Sequence, residues 1–504
     1  MHQEMNRRSF LKTAAATGAV LVAGGALAGC SSQGGGSAAS AEPDAENRLV
    51  GYAPIEFSEE TDVLVIGTGI AGMSAAMDPV EAGYQVMLAD KLERVGGESF
   101  ISCGVMNVVG SNMQKDAGID GDPEANWEKY LPVLEQAGET DDLDFKHNVY
   151  VYQTEWANRV NSDYGGEFQP LDDYKDTGAP TSMLLPKNGI GDMASVLTPL
   201  QKGLESKGAS YKLNHTAKSF IVDAQGTPIG VRFEDGKSGK TIDIKAKRII
   251  VATGGFSCNQ EMVSAYLPVQ SRMGPLTVNS MGEGHQMCKA LGGVYTHMDM
   301  VSNLMSDLAQ VTVWGYFGPN VQVTPQGRRF IKEDQSHDSP DVAAELELGF
   351  WWTIFDEQLI NGSQAWNVNQ NMTNKADRLV GPCASLEELA AAMDIPAENL
   401  VETFTAYDAM VEAGEDTEFG KKRFLTSLAA PYYAMKHMPF RYKTHGGMKI
   451  TTESQLVDAD GNPIPNVFCC GSTVADSGSD LSPNAGSGLV TGKAVVASLQ
   501  AEAE

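Results

Sequence analysis

The stretch from Thr61 to Gly97 constrains this chain most. An apolar run, Asp62-Val63-Leu64-Val65-Ile66, passes directly into Gly67-Thr68-Gly69-Ile70-Ala71-Gly72, and a helix-like segment follows from Met73 to Ala82. A second apolar run, Gln85-Val86-Met87-Leu88-Ala89, ends on the acid Asp90. A G-x-G-x-x-G alone says little. Opening a helix after a strand, with an acid about 20 residues on, it reads as a dinucleotide-binding fingerprint. Gly67 permits the tight turn, Gly69 lets a pyrophosphate approach the backbone, and Gly72 lets the helix pack closely on the strand. The helix N-terminus at Ile70 and Ala71 offers unpaired N–H groups and a positive dipole end to phosphate. Asp90, followed by Lys91, is placed to accept hydrogen bonds from a ribose. The alternative is a Gly-rich turn in some other α/β protein. Pro79 falls inside the helix pattern, where it removes a hydrogen bond and predicts a kink.

Residues 1–30 read as an address rather than as part of the fold. Asn6-Arg7-Arg8-Ser9-Phe10-Leu11-Lys12 resembles a twin-arginine export signal. Ala14 to Gly29 is Ala/Gly-rich, too short and too weakly apolar for a stable membrane span. Leu27-Ala28-Gly29-Cys30 resembles a bacterial lipoprotein cleavage box, which makes Cys30 a lipidated first residue. Plain secretory cleavage near Ala28 is the alternative. Residues 31–55 read as a flexible tether, Gly/Ser/Ala-rich from Ser31 to Glu46. No later segment is long and apolar enough to cross a bilayer. The expected location is the outer face of the bacterial cytoplasmic membrane, held by one lipid.

The formal net charge of −28 argues against nucleic acid and against adhesion to anionic lipid. Beyond Cys30 stand Cys103, Cys258, Cys288, Cys383, Cys469 and Cys470. Their scatter does not suggest a disulfide framework. Without C-x-x-C or C-x-x-C-H there is no signature for a zinc ribbon, an iron–sulfur cluster or an attached haem, and no metal is expected. Cys469 and Cys470 read as small core residues.

Further along, Asp122 to Asn161 reads as helices with acidic faces, Pro123 suiting a first turn. Gly189 to Lys207 is an amphipathic helix pattern. Strands from Asn214 to Val231 turn at Ala224-Gln225-Gly226, and a hairpin turns between Asp235 and Gly239, its second strand running through Ile242 to Lys245. Arg248 to Val251 reads as a separate short strand entering Ala252-Thr253-Gly254-Gly255. Ser385 with Glu388 forms a capping box, and Pro396 opens a second helix. Val467 to Gly471 is a buried strand. Ser482 to Ala501 ends as a helix, with Gly486 and Gly488 near its start.

Taken in order, the Gly67–Gly72 fingerprint, Gly96-Gly97, Ala252 to Gly255, Gly282 to Gly284, Gly327-Arg328-Arg329-Phe330 with Glu333, Ile354-Phe355-Asp356, Gly446-Gly447 and Cys470-Gly471 resemble the flavoprotein subunits of fumarate reductases and succinate dehydrogenases. The likeness is to the soluble flavocytochrome branch without its haem domain. It implies an α/β fold: a doubly wound, Rossmann-like FAD domain in two segments, 56–297 and 444–504, with an inserted α+β clamp at 298–443. It implies non-covalent FAD held by Gly67, Gly69, Ile70, Ala71, Gly72, Asp90, Lys91, Gly96, Gly97, Ser99, Ala252, Thr253, Gly254, Gly255, Gly471, Ser487, Gly488 and Leu489. Arg329 reads as structural. The ribose acid is usually Glu in the family, so Asp90 is one methylene short. Ser472 stands where an acid usually follows Gly471.

The dicarboxylate reductases hold substrate with cations and use an arginine as proton donor. Here that position aligns with His337. The C-terminal carboxylate-binding arginine aligns with Asp480. A histidine segment aligns with Val301-Ser302-Asn303-Leu304, and the histidine before the final Gly-Gly falls near Tyr442 or Lys443. The relay acid aligns with Val313, beside a retained Thr312. An acid at Asp480 repels a dicarboxylate, so the expected acceptor is a bulkier, non-dicarboxylate alkene, with Trp314, Tyr316, Phe317, Tyr432 and Tyr433 as candidate walls. Candidate acids are His337, Tyr316, Lys443 and His445, with His337 favoured because imidazole titrates near neutrality. Electrons are expected from a membrane-linked cytochrome or quinol, in anaerobic respiration. The alternatives are a 3-ketosteroid dehydrogenase-like enzyme, a benzylic C–O reductase and a flavin shuttle without a substrate.

Overall fold

In the computed structural model the principal elements begin with β1 (Glu59–Ile66), α1 (Ile70–Glu81) and β2 (Val86–Asp90). Then come α2 (Pro123–Ala137), α3 (Leu143–Asp163), α4 (Ala194–Ser206), β3 (Ser210–Leu213), the hairpin β4 (His215–Val222) and β5 (Pro228–Asp235), β6 (Thr241–Val251) and α5 (Glu283–Ala290). A further group comprises β7 (Val321–Val323), β8 (Trp351–Phe355), β9 (Leu379–Cys383), α6 (Leu386–Met393), α7 (Ala397–Ala413) and β10 (Tyr432–His437). The chain returns through β11 (Gln455–Val457), β12 (Pro463–Cys469) and α8 (Leu481–Ala503). The structure describes residues 55–137, 141–171, 183–189, 191–300, 305–306, 318–334, 347–362, 368–369, 372–373, 376–441, 443–475 and 480–503. No helix among them is long and apolar enough to cross a membrane.

The main sheet has eight strands in the order β11-β12-β6-β1-β2-β3, with β5 also paired to β6 and β4 to β5. From β12 to β3 all neighbours are parallel. A parallel strand is covered on both faces and must be apolar on both. β1 shows why its sequence is a continuous apolar run. Val63 and Val65 enter the core packed under α1, α4 and α8, while Leu64 and Ile66 enter the opposite core with Phe220, Phe233 and Met287.

The expected hairpin strand and the expected Arg248–Val251 strand are one element. β6 pairs through Thr241–Lys245 with β5 and through Ile249–Val251 with β12, while β1 runs along both parts. The charged interruption does not break it, because Arg248 is fully used. Its Nε donates to Ser498 Oγ at 2.8 Å, one terminal nitrogen to Asn466 Oδ1 at 3.1 Å and the other to Glu502 at 2.8 Å.

α8 packs on α1 through glycines. A Cβ on Gly488 would sit 2.3 Å from Ala71 O, and one on Gly492 2.7 Å from Ala75 O. The second contact bears on Pro79. Ala75 O is the carbonyl that Pro79, lacking an N–H, leaves without its helical donor. α1 nevertheless continues to Glu81, with Ala75 O pressed against the Gly492 backbone.

A separate antiparallel sheet, β7-β8-β10-β9, carries its own core of Val321, Ile354, Leu389, Phe404 and Tyr407 under α6 and α7. Ser385 caps α6 by accepting from Glu388 N at 3.2 Å. Glu388 reaches back to Ala384 N at 2.8 Å, one residue before the position a capping box predicts. Tyr432 and Tyr433, expected as pocket walls, belong to this sheet. Successive side chains on a strand face opposite ways, so Tyr432 meets Phe404 edge-on at 6.2 Å and Tyr433 stacks on Phe355 at 5.7 Å.

Candidate active site

The turn from β1 into α1 lies against the end of β6. Gly67 has φ +107°, and a Cβ there would stand 2.2 Å from Ala252 O. A Cβ on Gly72 would stand 2.1 Å from Gly67 O. Gly69 is different. Its nearest neighbour would be Ser99 Oγ at 3.6 Å, so this side of the turn is open. Gly69 provides no side-chain cap for α1; Ile70 N donates to Ser99 Oγ at 3.0 Å. Ser99 arrives on a short 3-10 turn after Gly96, whose N–H donates to Thr68 O at 3.0 Å.

The other predicted segments converge here. Ala252 N donates to Ile66 O at 2.8 Å, carrying Thr253, Gly254 and Gly255 past the carboxyl end of β1. Gly471 follows β12 and Cys470, with φ +65°, and would meet Ala71 Cβ at 2.6 Å if it bore a side chain. Its N–H donates to the buried Ser487 Oγ at 2.7 Å. Gly488 is the α1 contact, and Leu489 is core. A backbone-lined cradle beyond the carboxyl ends of β1, β6 and β12, facing a helix N-terminus whose N-cap residue is a glycine, suits a dinucleotide's pyrophosphate. These residues fit FAD: Gly67 to Gly72 and Ser99 would hold the diphosphate, and Ala252 to Gly255 with Gly471 the inner part.

Asp90 holds the loop in addition to the role the motif suggests. Its Oδ2 accepts from Thr68 N at 2.8 Å and Thr68 Oγ1 at 2.6 Å, and its Oδ1 from Leu92 N at 2.9 Å. The short side chain ties down the Gly-rich loop and keeps acceptor capacity on Oδ1 for a ribose. The sequence did not single out Thr68. Lys91 pairs with Glu283 and donates to Asn279 O at 2.6 Å, joining β2 to α5.

Lys443, His445 and Asp480 meet at the open end. Lys443 Nζ donates to Asp480 Oδ1 at 2.6 Å. Thr444 Oγ1 accepts from Phe256 N at 3.1 Å, 2.5 Å from where a Cβ on Gly255 would be. Asn484 donates through N and Nδ2 to Asp480 O, at 3.1 and 2.8 Å, and lies 3.3 Å from Ser472 Oγ. Thr444 and Asn484 were missed; their only sequence signal is proximity to Gly446-Gly447 and Asp480. Asp480 keeps 61% of its side-chain surface, whereas Lys443 keeps 18%. Enclosure raises the Asp480 carboxyl, but the charge and hydrogen bond of Lys443, with His445, lower it more, so it lies below the usual carboxylate range. Burial, assisted by Lys443, pushes His445 down to about 4. Burial raises the nearby Cys103 thiol, and Asp480's charge adds to that. His337, Tyr316, Trp314, Phe317, Thr312, Val313, Val301 to Leu304 and Tyr442 lie outside the described residues.

Behind Gly446 sits His285, fully buried against Phe256 and Tyr295. Burial lowers it to about 4 from 6.5. A histidine depressed in the fold contributes stability that is complete above its unfolded value and lost as pH falls through that window. Urea unfolding should give a stability level from pH 7 to 8 that falls by about 3 kcal/mol toward pH 4 from this group alone. His285→Phe should flatten that slope, and an unchanged slope would remove His285 from it.

A family model described as an FAD binding domain matches residues 62–489. A probable fumarate reductase of Shewanella frigidimarina is 29% identical over 427 residues, 82% of this chain and 70% of the relative. A urocanate reductase of Eggerthella lenta is 27% identical over 448 residues, covering 86% of this chain and 73% of the relative. The open conformation of a flavocytochrome c3 fumarate reductase superposes with a TM-score of 0.71 at 26% identity, over 88% of this chain and 79% of that one.

Proposed function

Because the chain belongs to the FAD-binding flavoprotein family of the fumarate reductases, we propose that it reduces the activated C=C bond of a non-dicarboxylate, aromatic or bulky enoate or enone. FAD-dependent reduction of C=C bonds is the chemistry of its relatives. The Lys443–Asp480 pair carries the finer reading. Lys443 is already neutralised by Asp480, whose carboxylate is exposed beside it. Held to Asp480, Lys443 offers no free cation to a substrate's second carboxylate, which a dicarboxylate site needs.

Bound FAD supplies the hydride that reaches the electron-poor carbon. A protein acid must protonate the neighbouring carbon. His445, lowered to about 4, is neutral at pH 7 and serves as a hydrogen-bond partner rather than as that acid. Lys443, Tyr316 and His337 remain, and we favour His337 because it takes the place of the family's donor.

The test is flavin reoxidation. The FAD-loaded protein, reduced with a viologen dye, meets fumarate, aryl acrylates, 3-ketosteroids and benzylic ethers in turn. Rapid reoxidation by an aryl acrylate or enone, with fumarate slower by 100-fold (~3 kcal/mol) or more, is expected. Rapid turnover of fumarate overturns the substrate reading. Exchange with a cytochrome alone makes the protein a shuttle.

The export signal, the lipoprotein box and the tether support a lipid-anchored protein outside the cytoplasmic membrane, fed by a membrane-linked cytochrome or quinol. Cys30→Ser should move it from the membrane to the soluble exported fraction. Retention in the membrane fraction sinks the anchor.

A further inference from the structure

We propose that Asp480 determines specificity by accepting a hydrogen bond from the substrate, so that the favoured alkenes carry a donor: a hydroxyl or a protonated ring nitrogen. This rests on the proposed function, with the alkene bound beside Lys443 and Gly255.

The two oxygens of Asp480 are unequal. Oδ1 receives Lys443 Nζ at 2.6 Å, while among the described residues no protein donor reaches Oδ2. Asp480 immediately precedes α8, where a carboxylate commonly caps the helix by accepting an N–H from its first turn. That does not happen here. Asn484 N and Nδ2 both go to the Asp480 main-chain oxygen, which fixes the backbone and leaves the side chain turned toward Lys443. A side chain with 61% of its surface accessible, near Lys443, His445 and Cys103, has one oxygen paired and one without a donor among the described residues.

The neighbours limit what fits. Lys443 carries the cationic charge that pairs Asp480, and His445 is neutral at pH 7. An anionic group approaching Oδ2 meets a like-charged carboxylate oxygen. A hydroxyl or a protonated nitrogen meets a charged acceptor whose position Lys443 and Asn484 have already fixed. Hydrogen bonds to charged groups discriminate by about 10- to 100-fold, whereas a methyl ether at the same place leaves Oδ2 unpaired and desolvated.

The experiment uses the FAD-loaded protein and two probes, 4-hydroxycinnamate and 4-methoxycinnamate. Binding is read from perturbation of the oxidised flavin spectrum and turnover from reoxidation of the dye-reduced flavin. The wild type should prefer the hydroxyl probe by about 10- to 100-fold, mainly in Kd and KM rather than kcat. Asp480→Ala should bring that ratio to within about threefold, with Asp480→Asn in between because an amide oxygen still accepts. FAD content, read at 450 nm, should stay as in the wild type. Equal affinity of the wild type for both probes overturns the inference. So does a parallel loss for both probes in Asp480→Ala, which marks a merely structural residue. Binding with the expected preference but no reoxidation leaves Asp480's role standing and overturns the alkene-reductase reading instead.

Discussion

Gly67→Ala should give protein that purifies without FAD. Two costs coincide there. A non-glycine residue at φ +107° costs about 1–2 kcal/mol, and the new Cβ would stand 2.2 Å from Ala252 O, a backbone atom that cannot rotate away. The only relief is separation of β1 from β6 at the point where the cradle forms. Two companions isolate the causes. Gly83→Ala has φ +84° and nothing within 4 Å, so it should lose about 1–2 kcal/mol of stability and keep its flavin. Gly69→Ala meets only Ser99 Oγ at 3.6 Å, so the fold should survive while FAD affinity falls. The ratio of absorbance at 450 nm to that at 280 nm reads all three. Full flavin in Gly67→Ala would mean that the Ala252 contact does not shape the site.

Glu333→Ala should lower the unfolding free energy by about 3–5 kcal/mol. Arg329 is shared between two buried acids. Its Nε and one terminal nitrogen donate to Glu333 at 2.9 and 2.8 Å, and its terminal nitrogens reach Asp416 at 3.2 and 2.8 Å. The guanidinium lies 5.0 Å from the Tyr407 ring and 4.9 Å from that of Phe419. Lys421 is buried beside them, donating to Asn320 O and Tyr407 Oη at 2.5 and 3.1 Å. Removing Glu333 leaves Arg329 and Lys421 with Asp416 as the only other fully buried acid of the network among the described residues, since Glu418, 3.6 Å from Arg329, is half exposed. Glu333→Gln should cost less, because it keeps the shape and one acceptor. Burial alone would raise the Asp416 carboxyl, but Arg329 and the N–H groups of Lys421 and Phe419 hold it well below the usual range. Its contribution is therefore complete at neutral pH and is lost as pH falls below the ordinary value of 3.8. Thermal unfolding of the three proteins at pH 7 decides the ranking, and a Glu333→Ala midpoint equal to that of wild type would show the network to be dispensable.

The cradle was legible because its requirements are written in glycine. Gly67, Gly72 and Gly471 each stand where a side chain would strike backbone or a neighbouring Cβ, and only one residue type meets that demand. Strand β1 was legible for a similar reason, since a strand covered on both faces must be apolar throughout. Pairings between polar residues in different loops left no such mark. The motif drew attention to Arg329 and Glu333, but Asp416 lies 87 residues beyond Arg329 and carries no signal of its own. Lys443 and Asp480 were noted separately, each as a departure from a family pattern; that they hold one another follows from where two loops end, which spacing does not encode. Asp90 shows a subtler limit. Its ties to Thr68 and Leu92 add a loop-holding role that the ribose motif does not announce. Tyr432 and Tyr433 pack on their own sheet, and aromatic residues suit a sheet core and a ligand pocket equally well.

The glycine contacts between α1 and α8 also govern when this protein becomes itself. Ala71 and Gly488 lie more than 400 residues apart in the chain, yet they share one wall of the flavin cradle. While the chain is being made on the ribosome, the opening strand and helix exist without the partner that closes them. Contacts of such sequence separation form late, because the loop between them must be closed first. Flavin capture therefore waits for α8. A quality-control system that senses a closed cradle would, by the same contact, sense that residues 481–503 have been translated.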